Sequence, residues 1–128
     1  MSPEPIDVPA LPPNNPTYSQ AVRLGDILYV SGQLGVDPQT RALVAGGIRD
    51  QTRQAIDNIE TILSAAGSRL DQVAKVNIFL TDFSLLSAMN DVYVTRFTHR
   101  PAKTTVEIAR LDKDALIEIE VIAAASSR

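Results

Sequence analysis

Four polar side chains near the C-terminal end, Lys103, Thr105, Glu118 and Glu120, have the types and spacing to do chemistry together. Lys103, Thr105 and Glu107 alternate with Thr104, Val106 and Ile108, while Glu118 and Glu120 alternate with Ile117, Ile119 and Val121. Period-two alternation marks strands with one polar and one apolar face, here over residues 103–108 and 116–124. If these two strands are paired neighbours, their polar faces coincide. One cation, one hydroxyl and two carboxylates then form a small site for a charged molecule. Paired carboxylates can hold and polarise a water, and a lysine opposite can bind a substrate carboxylate. Such a set suits adding water to a group that is already reactive, not breaking a strong bond unaided. The same alternation also describes a wet sheet face with ordinary cross-strand ion pairs, and spacing leaves both readings open.

Composition narrows the classes. The sequence has 128 residues, 45% hydrophobic and 21% charged, enough for one domain with a real core and too few for two. A net charge of −3 provides no basic field for nucleic acid or an anionic membrane. The absence of cysteine excludes disulfides, thiol nucleophiles and thiolate zinc sites, and leaves the redox compartment undecided. With His99 as the one histidine, there is no His-based metal cluster or acid–base pair; at a helix exit it reads as a solvated or capping residue. No Gly-rich phosphate loop precedes a helix, and no Gly-x-Ser-x-Gly elbow occurs. No apolar run approaches the roughly 20 residues that span a bilayer. The first residues lack the basic and apolar regions of a leader, so a soluble cytoplasmic protein is expected.

The elements that must position the four residues follow from the rest of the chain. Residues 1–16 hold six of the eight prolines and read as an extended arm without an element, leaving residues 17–128 as a single domain. A hairpin is expected over 18–24 and 27–33, turning at Gly25-Asp26. Ser31-Gly32 ends it, and a glycine there marks either a bulge or the close approach of backbone or ligand. After a surface loop, residues 48–66 form an amphipathic helix with Ile48, Ala55, Ile56, Ile59, Leu63 and Ala66 on one stripe and Gly67 as its cap. Residues 73–81 make another strand. A second helix starts near Ser84 as N-cap and runs to about Phe97, burying Leu85, Met89, Val92, Tyr93 and Phe97 and leaving Asn90 off the stripe. The order is ββαβαββ: an α+β domain with two helices on one face of a sheet.

Several short segments now acquire a common meaning. Tyr18-Ser19-Gln20-Ala21, Val30-Ser31-Gly32-Gln33, Gln51-Thr52-Arg53-Gln54, Met89-Asn90-Asp91-Val92-Tyr93 and Arg100-Pro101-Ala102 occur in that order. Val106 to Leu111 and Ile117 to Glu120 complete the set. Together they resemble the RidA (YjgF) family of enamine/imine deaminases, over about residues 18–123. The resemblance implies a chorismate-mutase-like fold assembling as a homotrimer with three clefts at the subunit interfaces. It implies hydrolysis of short-lived 2-enamine and 2-imine acids to 2-keto acids and ammonia, without cofactor or metal. By the same resemblance Tyr18 lines the cleft, the Ser31-Gly32 backbone contacts substrate, Asn90 shapes the pocket, and Glu118 holds the attacking water with Glu120 on the same face. Lys103 stands where the family has the arginine that grips the substrate carboxylate, and Thr105 where many members have a cysteine. Pro16-Thr17 replaces a common Gly-Pro, so the arm is expected to cover the cleft differently.

Lysine for arginine exchanges a planar fork for a compact charge on a flexible stem. The charge is kept, and the loss of bidentate binding is worth roughly 1–3 kcal/mol, or one to two decades in rate. An amine in a partly buried pocket can also form a Schiff base, although neighbouring glutamates would favour its charged form. Two functions therefore stand: an imine or enamine deaminase (a hydrolase), or a trimeric relative that binds a small keto acid or amino acid after losing deamination. Ribonuclease activity or translation inhibition, attached to some relatives by name, suits neither the acidic balance nor the lack of a histidine pair.

Overall fold

A tight turn at Gly25, whose φ of 60° suits a residue without Cβ, joins β2 (Ala21–Leu24) to β3 (Ile27–Leu34) as the expected hairpin. A computed structural model describes residues 1–12 and 15–126. After the hairpin come α1 (Ile48–Ala65), β4 (Val73–Leu80), α2 (Leu86–Arg96), β5 (Ala102–Glu107) and β6 (Ile117–Ala124), the expected ββαβαββ order. The proline-rich start adds an element that its composition conceals. β1 (Glu4–Ile6) pairs antiparallel with β2, and Val8 and Leu11 behind it are buried. Pro5 is tolerated because β1 is an edge strand, where a missing donor breaks no second ladder. The arm is extended, but it is part of the packed structure.

The sheet runs β1-β2-β3-β6-β4-β5. β4 and β5 are parallel, joined by the α2 crossover that parallel strands require, and β6 lies antiparallel between β3 and β4. Both helices cover the same face. Ile56, Ile59, Ile62 and Leu63 of α1 and Met89 of α2 pack there with Leu28, Val76, Ile78, Leu80, Ile117 and Ile119, all fully buried. Among the described residues no layer covers the opposite face, and Ile27, Tyr29 and Val106 on it are 39%, 45% and 39% exposed. Among the described residues no helix is long and apolar enough to cross a membrane.

The first helix ends as its sequence indicates. Gly67 takes a φ of 79°, Ser68 N–H donates to the Leu63 carbonyl at 2.7 Å, and Gly67 N–H to that of Ser64 at 3.1 Å, a Schellman arrangement. The second helix starts differently. Asp82, not Ser84, supplies the cap: its carboxylate accepts from Ser84 N–H at 2.8 Å and opens a 3₁₀ turn over Phe83–Leu85. A carboxylate one residue before the turn satisfies the first free N–H better than the serine hydroxyl within it.

Polar side chains of α1 fix the loops that the site depends on. Gln51 accepts from Leu116 N–H at 2.9 Å, setting the start of β6. Asn58 donates to the carbonyls of Leu34 at 3.3 Å and Val36 at 2.9 Å, holding the exit of β3, and accepts from Gln54 at 2.9 Å. Gly35 permits this contact: a Cβ there would lie 2.6 Å from the Gln51 Cα. The buried Gln51 and Asn58 amides are thus hydrogen-bonded, as the cost of an unpaired buried polar group demands.

Candidate active site

The four residues that opened the sequence reading do not meet within one protomer. β5 and β6 are not neighbours; β4 separates them. Lys103 pairs with Val76 and Thr105 with Ile78, so both lie on the helix-covered face. Glu118 pairs with Phe79 and Leu34, and Glu120 with Asn77, on the open face. The alternation was read correctly, but the assumed pairing was wrong. The physical reason is the α2 crossover, which makes β4 the partner of β5.

Two half-sites result. The first is built by β5 and α2. Lys103 Nζ donates to Asn90 Oδ1 at 2.7 Å and stands 4.5 Å from the centroid of the Tyr93 ring, a cation–π distance. Burial pushes the Lys103 ammonium below its ordinary 10.5, since desolvation disfavours the charged form. Among the described residues no carboxylate forms an ion pair with it. The glutamates expected to hold it charged are on the other face. Asn90, left off the apolar stripe, is thus the residue that orients the lysine. Tyr93 stacks on Phe97 at 4.8 Å, and its buried hydroxyl has no hydrogen-bond partner among the described residues. Burial raises that phenol to about 12. Thr105 is half-buried two residues along the same strand face.

The second half-site is built at the β3–β6 ladder. Ser31 and Gly32 fall where the register shifts between Val30 and Gln33. Ser31 is held by two contacts: its N–H donates to the Gln20 carbonyl at 2.9 Å and its hydroxyl to that of Ser19 at 2.6 Å. Those bonds anchor the segment carrying Tyr18, which is 54% exposed beside the cavity. Gly32 is both a bulge residue and a point of close approach. A Cβ there would lie 2.7 Å from the Glu118 Cδ, so only glycine lets that carboxylate lie across the strand. Tyr18, Gly32 and Glu118 line one cavity of about 400 Å³ with Gln20, Asn58 and Asp112. Arg41 and Lys113 line it too. Glu118 is half-buried, and its carboxyl is pushed above the ordinary 4.5, first by burial and then by the charges of Glu120 and Asp112. A carboxylate raised in this way is suited to accept a proton near neutral pH.

Asp112, Arg41 and Lys113 were not foreseen, because they sit on loops whose fold no periodicity encodes. A partial signal existed: Asp37-Pro38 predicts a turn, and Asp37 does cap one, accepting from Gln39 N–H at 2.8 Å. His99 is exposed, in keeping with a solvated residue, and its Nε2 lies 2.8 Å from the Val73 carbonyl.

Comparison with known proteins agrees with this fold. A model of the family described as Endoribonuclease L-PSP matches residues 10–125. A RutC family protein of Pyrococcus horikoshii is 49% identical over 107 residues, 83% of this chain and 85% of its own length. A 2-iminobutanoate/2-iminopropanoate deaminase of Dermatophagoides farinae is 42% identical over 124 residues, 95% of this chain and 97% of its own. The crystal structure of a conserved Rid family protein from Yersinia pestis superposes with a TM-score of 0.92 at 40% identity, covering 97% of this chain and 100% of that one. The fold, the order of its elements and these relatives place the chain in the RidA/YjgF (L-PSP) family.

Proposed function

We propose that this protein hydrolyses reactive 2-imine and 2-enamine acids to 2-keto acids and ammonia. The observation that carries the reading is Glu118, a half-buried carboxylate of raised affinity for protons, lining a cavity between an exposed tyrosine and a glycine that makes room for it. The deaminase name of a relative covering nearly the whole chain supports it. Because Lys103 and Glu118 face opposite ways in one protomer, the site needs a second copy to close it. A homotrimer would set the Lys103 half of one subunit against the Glu118 half of the next. The uncovered sheet face, with Ile27, Tyr29 and Val106 exposed, is apolar enough to be the contact.

In the reaction, Lys103 binds the substrate carboxylate. Glu118 takes a proton from water as the oxygen attacks the imine carbon. Glu118 returns that proton to nitrogen to give the carbinolamine, then takes the hydroxyl proton as the carbonyl forms and the C–N bond breaks, and passes it to nitrogen so that ammonia leaves. The alternative is a trimer that binds keto or amino acids without turnover. Its support is that Lys103 Nζ is already engaged by Asn90 and the Tyr93 ring. The test generates an imine with an amino-acid oxidase and lets semicarbazide compete for it. The unmodified protein is expected to divert the imine to keto acid, and Lys103→Arg to do so about tenfold faster through bidentate contact. An inert protein made active only by Lys103→Arg would instead establish the binding role.

A further inference from the structure

Arg41 and Lys113 are unpartnered cations that line a cavity; Arg100 and Arg110 also lack a side-chain partner among the described residues but do not line it. The ammonium groups of Lys75 and Lys103 bind Thr104 and Asn90. Arg23 binds backbone carbonyls, and Arg49, Arg53, Arg69 and Arg96 pair with carboxylates. The side chains of Arg41 and Lys113 have no hydrogen bond or ion pair among the described residues, yet both line the Glu118 cavity. Both also adopt left-handed backbone, with φ of 64° and 58°, where a residue with a side chain is strained; Arg100 shares it at 58° but lies away from the cavity. A strained, unpartnered charge beside a cavity points to function more than to stability.

Their loops are firmly built. Arg41 closes a turn in which its N–H donates to the Asp37 carbonyl at 2.8 Å and Asp37 N–H to that of Ala42 at 2.9 Å. A bridge between Val36 and Leu43 closes that turn, and the Asn58 amide ties it to α1. The Lys113 loop is fixed by Ala115 N–H on the Asp112 carbonyl at 3.1 Å and by Gln51 on Leu116 at 2.9 Å. Two cations are therefore presented by fixed turns to one space of about 400 Å³, within the usual range for small-molecule sites.

We infer that Arg41 and Lys113 form an anion subsite for a second carboxylate, making this protein selective for imines with an acidic side chain. The inference rests on the deaminase reading for its reaction. Lys103 takes the carboxylate next to the imine, and Arg41 with Lys113 takes the distal one. Without those two cations a distal carboxylate would meet Glu118 and Asp112, two like charges lining the same cavity. Arginine supplies a planar fork and lysine a point charge, a pairing suited to one carboxylate at the end of a short chain.

The test compares imines made by flavin oxidases from aspartate or glutamate with those from alanine or 2-aminobutyrate. It uses the full-length protein and semicarbazide competition. In parallel, calorimetry measures binding of 2-oxoglutarate and 2-oxobutyrate. Arg41→Gly and Lys113→Gly are the variants of choice, because glycine accepts the positive φ and a lowered thermal midpoint is not expected. The unmodified protein should prefer the acidic imines by about tenfold in kcat/KM, and each variant should reduce that ratio about tenfold. 2-Oxoglutarate should bind more tightly than 2-oxobutyrate, with the difference lost in the variants. Equal kcat/KM for the two imine classes, or a ratio unmoved by both variants, would overturn the subsite and leave the deaminase reading intact. No turnover of any imine would overturn the deaminase reading, and the binding preference would then decide the subsite alone.

Discussion

The two half-sites are made by different means. Lys103 is placed by regular structure: a strand, a helix facing it, one amide and one ring. Glu118 is placed by irregular structure: a register shift, a glycine with no space for Cβ, and loops pinned by Gln51 and Asn58. Their electrostatics differ in step. Burial makes the lysine easier to neutralise, and burial with two neighbouring carboxylates makes the glutamate harder to ionise. Each half alone is a mildly frustrated charge. Brought together across an interface, the ammonium would bind the substrate's carboxylate and Glu118 would serve its reacting carbon, which makes assembly and catalysis one event in this reading.

Separating the halves should have the largest effect. Tyr29→Glu puts a charge on the open face, where Tyr29 is 45% exposed and pairs across the ladder with Val22 and Ile122. Burying an unpaired charge in an apolar contact is prohibitive. Sedimentation is expected to find a trimer for the unmodified protein and a folded monomer without deaminase activity for the variant. A monomer that still turns over imine would disprove the shared site.

Next is Glu118→Gln, which keeps the shape and removes the base. Activity should fall about 10²- to 10⁴-fold, the usual worth of a general base. Its effect on stability has the opposite sign. The folded glutamate binds its proton more tightly than the unfolded one, so its stabilising contribution is complete below the ordinary 4.5 and is lost as pH rises through the higher folded value. At neutral pH the glutamine variant should therefore melt higher than the unmodified protein, with the gap closing under acid. The acid limb of the unmodified protein's rate profile should lie above the ordinary carboxylate range.

Gly32→Ala disturbs the same half without touching its charge. Its Cβ would come within 2.7 Å of Glu118 Cδ, so the carboxylate must move. A displacement near 1 Å can cost about a hundredfold in rate, and overpacking costs roughly 1–3 kcal/mol. Here rate and stability should fall together, in contrast with Glu118→Gln.

The same division decides how far the sequence could be read. Strands and helices with strong periodicity were legible to within a residue or two, from β3 to β6. The partners of β5 were not, since alternation gives the faces of a strand but not its neighbour; the β4–α2–β5 order did carry that information and was overlooked. β5 also misleads by its own pattern. Its polar Lys103, Thr105 and Glu107 face the helix side, while Val106 is exposed. This inversion would suit a sheet whose open face another copy covers in the proposed trimer. Glu118 and Gly32 were found because both lie on ladder strands. Arg41, Asp112 and Lys113 were missed because a turn's direction depends on the partners that hold it, here Asn58 and Gln51 from a distant helix.

The smallest expected effect tests the regular half. Asn90→Ala removes the acceptor 2.7 Å from Lys103 Nζ but leaves the Tyr93 ring beneath it. One exposed hydrogen bond is worth about 0.5–1.5 kcal/mol, so KM should rise about three- to tenfold with kcat little changed. Asn90→Asp separates orientation from charge. A carboxylate at that position would raise the lysine's affinity for its proton and compete with substrate for the ammonium, so its KM should exceed that of the alanine variant. Equal values for the two would mean that Asn90 only fills space, and Lys103 would then be held by the ring and its own strand.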